Sequence, residues 1–239
     1  MKAFAITDVG RARLMNQDFV YCSQKPVGSL PNIFIVADGM GGHKAGDMAS
    51  SFTVETFIKI VEASDEKNQI TLIDETIRTV NDKLIQKSKE SEDYEGMGTT
   101  LVVATIIGNV LHVANVGDSR LYVMSEELQQ ITRDHSLVEE MIALGELERK
   151  HARTHEQKNI ITRAIGGSGV VMADFFTIDI KPGDRIIMCS DGLTNMIEDD
   201  EIAQIVKNNI SVEDAAVALL KTANSNGGKD NISIIIIEP

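Results

Sequence analysis

The chain contains no tryptophan, and aromatic residues make up only 4% of it. A core for 239 residues must therefore rest on Ile, Val, Leu and Met. Basic residues are also scarce: 23 Lys and Arg face 36 Asp and Glu, for a formal net charge of −13. No basic run interrupts this acidity, which argues against nucleic acid or an anionic membrane surface as partner, since both require clustered positive charge. The only two cysteines, Cys22 and Cys189, form neither a disulfide framework nor a Cys-x-x-Cys metal signature. They indicate a reduced, cytoplasmic setting. No apolar run reaches the roughly 20 residues of a membrane helix. The first residues, Met1 to Asp8, meet an acid too early for a signal peptide.

What is present reads as globular: 43% hydrophobic and 25% charged residues. The length fits one domain over residues 1–239, with no repeat, linker or low-complexity tract. No coiled-coil pattern is present, so a monomer is expected.

Strand-like segments cover residues 3–7, 19–23, 33–37, 100–107, 110–116, 121–124, 175–180, 184–189 and 232–237. Gly108-Asn109 and Pro182-Gly183 are tight-turn signals between neighbouring strands. Helical stripes are carried by Ala49, Phe52, Phe57, Ile60 and Val61, and by Ile70, Ile73, Ile77, Val80 and Leu84. Ser136 to Glu139 has the form of a capping box, and Ser211 opens a further helix bearing Ala215, Ala216, Leu219 and Leu220. Pairs of helices lie between groups of strands, which predicts an α+β fold of antiparallel sheets with helices packed outside. Residues 145–159, crowded with Glu, Arg, Lys and His, form an exposed excursion. Within it His151 and His155 have i, i+4 spacing but no following Glu of the zinc-protease kind, and read as solvated residues. His135 reads as structural, and His112 as packed or at an edge.

The chemistry-bearing signal is a set of aspartates at strand boundaries. Asp38 and Asp191 close apolar runs, in Val36-Ala37-Asp38-Gly39 and Ser190-Asp191-Gly192, and Asp230 opens one, in Lys229-Asp230-Asn231. Asp-Gly alone is a common turn dipeptide. Three such carboxylates meeting at one sheet edge would repel one another without a cation between them, and hard oxygen ligands suit Mg²⁺ or Mn²⁺. Gly39, lacking a side chain, leaves its carbonyl free for close approach to a cation. Two further clusters add Arg13, Asn16 and Asp18 just before a strand, and Asp118 in Gly117-Asp118-Ser119 just after one. An arginine beside a metal site can clamp a phosphoryl group through its planar fork. A multi-metal hydrolytic centre is the expectation.

These clusters carry a resemblance. The stretches GRARLMNQD (10–18), VADGMGGHKAG (36–46), GMGTT (96–100), NVGDSRLY (115–122), DHSLV (134–138), NIITRAIG (159–166), SDGLTN (190–195) and GGKDNISIII (227–236) run in the order found in the metal-dependent protein phosphatases, the type 2C serine/threonine phosphatases, in their compact bacterial form. Together they span nearly the whole chain. The resemblance implies a four-layer α-β-β-α sandwich, with two central antiparallel sheets flanked by helices, and makes residues 145–159 a flap beside the active site. It implies hydrolysis of phosphoserine and phosphothreonine in proteins by direct attack of a metal-bridging hydroxide, opposing a serine/threonine kinase.

By the same resemblance, Asp38 bridges two tightly bound Mn²⁺ or Mg²⁺ ions, and the Gly39 carbonyl binds one of them. Asp191 and Asp230 complete the second ion's protein ligands. Asp18 holds metal-bound waters, Asp118 serves a weaker third ion with Asp191, and Arg13 binds the substrate phosphate. Neither cysteine has the Arg six residues later that a cysteine-based phosphatase loop requires. Gln17 stands where many members carry Glu. Met40 stands where larger eukaryotic members carry His, and His43 is not at that place, which leaves the general acid unassigned, with water as one candidate. The competing reading is an inactive phosphoprotein-binding module, against which the intact Asp38, Asp191 and Asp230 argue. A narrower rival is the same chemistry devoted to a single regulator.

Overall fold

Alternation of apolar side chains between two faces organises the molecule. The computed structural model describes residues 1–42, 45–167 and 169–239; His43 lies outside these. The elements run β1 (Lys2–Asp8), β2 (Asp18–Ser23), β3 (Ile33–Met40), α1 (Ala45–Ala63), α2 (Gln69–Ser88), β4 (Gly98–Thr99), β5 (Leu101–Ile107), β6 (Val110–Val116), β7 (Arg120–Met124), β8 (Leu128–Gln130), α3 (Leu137–Ala143), β9 (Asp174–Asp179), β10 (Arg185–Cys189), α4 (Asp191–Thr194), α5 (Asp199–Asn208), α6 (Val212–Ser225) and β11 (Ile232–Glu238). One sheet has the order β1-β11-β10-β7-β8, and the other β2-β3-β5-β6-β9 with β4 added to β3. Every pairing is antiparallel.

Strand β11 shows why the layers stack. Successive side chains of a strand point to opposite faces. Ile232, Ile234 and Ile236 join the cluster under α4, α5 and α6, with Leu193, Ile202 and Leu219. Ile235 and Ile237 point the other way, onto Phe34, Val36 and Val102 of the second sheet. Each of these isoleucines is fully buried, a burial worth about 1.5–3 kcal/mol apiece. The outer face of the second sheet, with Ile33, Ile35, Leu101 and Val103, packs on Phe57 of α1 and Ile77 of α2. The result is the α-β-β-α sandwich, with helices outside both sheets.

The turn signals have their physical counterparts. Gly108-Asn109 joins β5 to β6, where Ile107 faces Val110, and Gly108 has φ +64°. Between β9 and β10, the Asp184 N–H donates to the Lys181 carbonyl at 3.0 Å across Pro182-Gly183.

Four elements go beyond the sequence reading. Strands β4 and β8 are two and three residues long, too short for any periodicity. Helix α4 has four residues and opens on Asp-Gly, which reads as a turn. Helix α5 did have a signal: Asp199, Asp200 and Glu201 in its first turn, then buried Ile202 and Val206 and a closing Lys207. Two local expectations are corrected. The capping box at α3 is only half made: Ser136 Oγ accepts from the Glu139 N–H at 3.4 Å, whereas the Glu139 carboxylate turns to Arg149 at 2.8 Å. Asp38 lies inside β3 rather than at its end, because Gly39 and Met40 go on to pair with β4.

Candidate active site

Strand parity places the aspartates. Phe34 and Val36 of β3 face the space between the sheets, so Asp38, two residues on, faces the same way at the sandwich edge. In β2, Val20 and Cys22 pack on that inter-sheet core, and Asp18 follows their parity. Asp18 and Asp38 are direct cross-strand partners. Like charges directly opposite each other destabilise a sheet, so this pair is stable only with protonation or a counter-cation.

The backbone around Asp38 is held by the Gly96 to Thr100 segment. The Asp38 N–H donates to Thr100 Oγ1 at 2.9 Å. The Asp38 carbonyl accepts from Thr99 Oγ1 and the Thr100 N–H, each at 2.9 Å. Thr100 Oγ1 also pairs with Ser119 Oγ at 2.8 Å, which ties the Asp118 loop to β3. Gly39 has no room for a side chain: a Cβ there would lie 2.0 Å from the Gly46 carbonyl oxygen. Its N–H donates to the Gln17 carbonyl at 3.0 Å.

Asp18 is buried at 6% exposure. Ser190 Oγ donates to its Oδ2 at 2.7 Å, and the Ser233 N–H donates back to Ser190 Oγ at 3.0 Å. Its other oxygen, Oδ1, is buried with no partner. Burial pushes the Asp18 carboxyl up to about 7, against the hydrogen bond from Ser190 and the nearby Ser233 hydroxyl and with the charges of Asp191 and Asp230. Asp118, at 8% exposure, is pushed up to about 8 by burial and by Asp191 and Asp134. Asp38 is raised well above the carboxylate range by burial and then by Asp18, Asp191, Asp118 and Asp230. Asp191 opens α4, where Asn195 Nδ2 donates to its Oδ2 at 2.8 Å. Its carboxyl is raised by burial and by the charge of Asp230, against the hydrogen bond from Asn195.

Asp230 sits just before β11. Its Oδ2 accepts from Arg13 Nη2 at 2.8 Å, and its Oδ1 from the Asn231 N–H at 2.9 Å. Asn231 fastens the Arg13 loop: Nδ2 donates to the Val9 and Met15 carbonyls, both at 2.9 Å, and Oδ1 accepts from the Gln17 N–H at 2.8 Å. Arg13, Asp38, Gly39, Asp118, Asp191 and Asp230 line one cavity of about 500 Å³. The structure thus brings together Arg13, Asp38, Gly39, Asp118, Asp191 and Asp230, with Asp18 buried as the cross-strand partner of Asp38, whereas Asn16 turns away to donate to Thr7 Oγ1 at 2.8 Å. Thr99, Thr100, Ser119, Ser190, Ser233, Asn195 and Asn231 were not singled out, although each stands in one of the quoted motifs. Small polar residues of this kind carry no signal of their own until the fold brings them to a carboxylate.

The excursion at residues 145–159 is pinned rather than free. Arg153 donates to the Ile197 carbonyl at 3.3 Å and pairs with Glu198 at 3.0 Å. Lys158 Nζ donates to Oδ1 of Asn195 at 3.1 Å, the residue whose Nδ2 holds Asp191. Lys158 and Asn159 line the wall of the aspartate cavity. His151 is exposed and His155 half-buried. His112 is half-buried on β6, beside Thr177 at 3.4 Å.

Among the described residues, no three His, Cys, Asp or Glu side chains close into a ready-made metal cage. Asp230 is turned to Arg13, and Ser190 and Asn195 each hold one oxygen of a neighbouring aspartate. The donor set nevertheless fits hard divalent cations. It is all oxygen, it includes an orphaned buried carboxylate oxygen on Asp18, and burial together with the members' mutual charge raises their proton affinity.

Fold and site together define a class: an α-β-β-α sandwich with a carboxylate centre at the edge where its two sheets meet. Residues 10–232 match the sequence model of the family described as protein phosphatase 2C. The chain belongs to that family, whose members are metal-dependent. It is 40% identical, over 97% of its length and 93% of the relative's, to the serine/threonine phosphatase stp of Listeria monocytogenes serotype 4b (strain F2365). The structure of the S. agalactiae serine/threonine phosphatase superimposes with a TM-score of 0.92 at 36% identity, covering 98% of each chain. That of the catalytic domain of the serine threonine protein phosphatase PstP, in complex with two manganese ions, does so with a TM-score of 0.86 at 30% identity, covering 98% of this chain and 96% of the other.

Proposed function

We propose that this protein is a metal-dependent serine/threonine protein phosphatase whose aspartate cluster holds the cations and whose Arg13 receives the substrate phosphate. The observation that carries the reading is the convergence of Asp38, Asp118, Asp191, Asp230 and Arg13 on one cavity.

Asp38, the Gly39 carbonyl, Asp191 and Asp230 hold two tightly bound Mn²⁺ or Mg²⁺ ions. Asp118, with Asp191, holds a weaker third. Asp18 orients water from behind, through its free Oδ1. When bound, such ions supply a strong water-derived nucleophile at neutral pH and stabilise the attacking and leaving oxygens in line. That contribution is required: phosphate monoester hydrolysis needs acceleration of up to ~10²¹-fold, whereas acid–base help typically supplies about 10²–10⁴-fold. Asp38 is kept in place through its backbone by Thr99 and Thr100, so its carboxylate does not have to be ordered at each turnover. Arg13 exchanges its carboxylate partner for the phosphate, two of whose tetrahedrally arranged oxygens can accept from the planar guanidinium fork. No cysteine, serine or histidine of the cavity takes up the phosphoryl group, and water serves as general acid at the leaving oxygen.

The substrates are phosphoserine and phosphothreonine proteins, and the functional counterpart is a serine/threonine kinase. The chain acts as one domain and as a monomer, in the cytoplasm. No helix among the described residues is long and apolar enough to cross a membrane. The test is phosphate release from a phosphothreonine peptide with Mn²⁺ and with chelator, alongside rapid-quench sampling. Release that needs Mn²⁺ and leaves no phosphoprotein intermediate supports the reading; a trapped phosphoenzyme contradicts it.

A further inference from the structure

His135 is buried at 6% exposure and lies apart from the aspartates, yet it grips the loop that carries one of them. Its ring Nδ1 accepts a hydrogen bond from the Gly117 N–H at 3.0 Å. Its own N–H donates to the Gly117 carbonyl, also at 3.0 Å. That carbonyl takes a second donor, Asn115 Nδ2, at 3.3 Å. Gly117 has φ +109°, and a Cβ there would strike Thr100 Cγ2 at 2.6 Å, so the loop backbone is pressed against the residue that holds Asp38. On the far side of Asp118, Ser119 is bound to that same Thr100.

The hydrogen bonding fixes the proton. A backbone N–H can only donate, so Nδ1 carries the lone pair and the proton sits on Nε2. Nε2 lies 3.2 Å from Asp174 Oδ2, outside good hydrogen-bond alignment. Arg163 donates to Oδ1 of that carboxylate at 2.7 Å. Burial holds the imidazole below its ordinary value, against the attraction of Asp174. Burial would raise the Asp174 carboxyl, but the contacts from Arg163 and His135 outweigh it and hold it below the usual range.

We infer that His135 is a positioning residue for the cation site served by Asp118: as the neutral Nε2–H tautomer facing Asp174, it clamps Gly117 through ring and backbone and so sets the direction of the next side chain. The inference rests on the reading of Asp118 given above. Residues that orient a metal ligand from behind typically affect metal affinity 10–100-fold.

Two measurements on the full chain test it. In ¹⁵N NMR of the metal-free protein near neutral pH, the His135 ring, identified by its loss in His135→Asn, should show a bare Nδ1 and a protonated Nε2. A protonated Nδ1 overturns the inference and leaves the assignment of Asp118 intact. In calorimetric Mn²⁺ titrations, His135→Ala should weaken the low-affinity phase about tenfold and spare the tight pair. His135→Asn, which keeps an acceptor near the Nδ1 position, should stay close to the unmutated protein. A folded His135→Ala with unchanged weak binding overturns the inference. So does equal loss in both variants that follows a loss of thermal stability, the mark of a merely structural role. Asp118→Asn, run alongside, separates the two claims: if it leaves the weak phase unchanged, or if the unmutated protein has none, the assignment of Asp118 fails and this inference with it.

Discussion

Arg13 and Asp230 hold each other, Nη2 to Oδ2, at 2.8 Å. One is assigned to the substrate phosphate and the other to a cation, so each occupies the other's ligand position. The side chains are 51% and 32% exposed, and a pair this open contributes about 0–1 kcal/mol to stability. Arg13→Ala should therefore leave the denaturation midpoint almost unchanged. It should raise KM for a phosphothreonine peptide about tenfold or more, as expected for loss of a charged hydrogen bond worth about 1.5–3 kcal/mol. An unchanged KM would remove Arg13 from the phosphate site.

The carboxylates make a pH prediction. Asp18 is pushed up to about 7 and Asp118 to about 8, from 3.8. A folded-state value above the unfolded one contributes stability that is complete below the unfolded value and is lost as pH rises through the folded value. In chelator, thermal unfolding should therefore move to lower temperature between about pH 4 and about pH 8 and level off above it. The stabilisation by added Mn²⁺ should grow over the same window, because the ions bind the charged form. A chelated midpoint that rises with pH would contradict this.

Thr100 is fully buried and serves two partners, the Asp38 N–H and Ser119 Oγ. Thr100→Val keeps the shape and strands both. A buried unpaired donor costs about 1–3 kcal/mol. Urea unfolding should show a loss of this size, and Mn²⁺ titration a weaker tight pair. Full stability and full Mn²⁺ affinity in Thr100→Val would remove Thr100 from its place behind Asp38.

Arg120 stands next to Ser119 and binds Asp134 through Nε and Nη2, and the Tyr122 hydroxyl through Nη1 at 3.0 Å. Tyr122 passes the bond on to Asp199 at 3.2 Å. Arg120→Met leaves Asp134 without its counter-charge and should cost about 3 kcal/mol. Adding Asp134→Leu should recover a large part of it, because replacing both members of an ion pair by apolar groups is often neutral. A double variant no more stable than Arg120→Met would show that the network holds more than this pair.

Strands were legible where apolar side chains recur over five or more residues, as in β11 and β5, and the helices where a stripe recurs at the helical period, as in α2. The short β4, β8 and α4 exist only through tertiary pairing and have no local pattern to read. The five aspartates were legible because a carboxylate beside a buried strand needs an explanation. Ser190, Ser233 and Thr100 were not, because a serine or threonine in or beside a strand needs none. Their role appears only when β2, β3, β10 and β11, far apart in the chain, converge at one sandwich edge.

The most direct test of the central claim follows Mn²⁺ binding by calorimetry and phosphothreonine-peptide turnover in one titration, for the unmutated protein and Asp38→Asn. The account predicts that turnover appears as two tight sites fill, disappears with chelator, and is lost together with those sites in Asp38→Asn. Turnover that persists after chelation, or an Asp38→Asn variant that binds and hydrolyses normally, would contradict it.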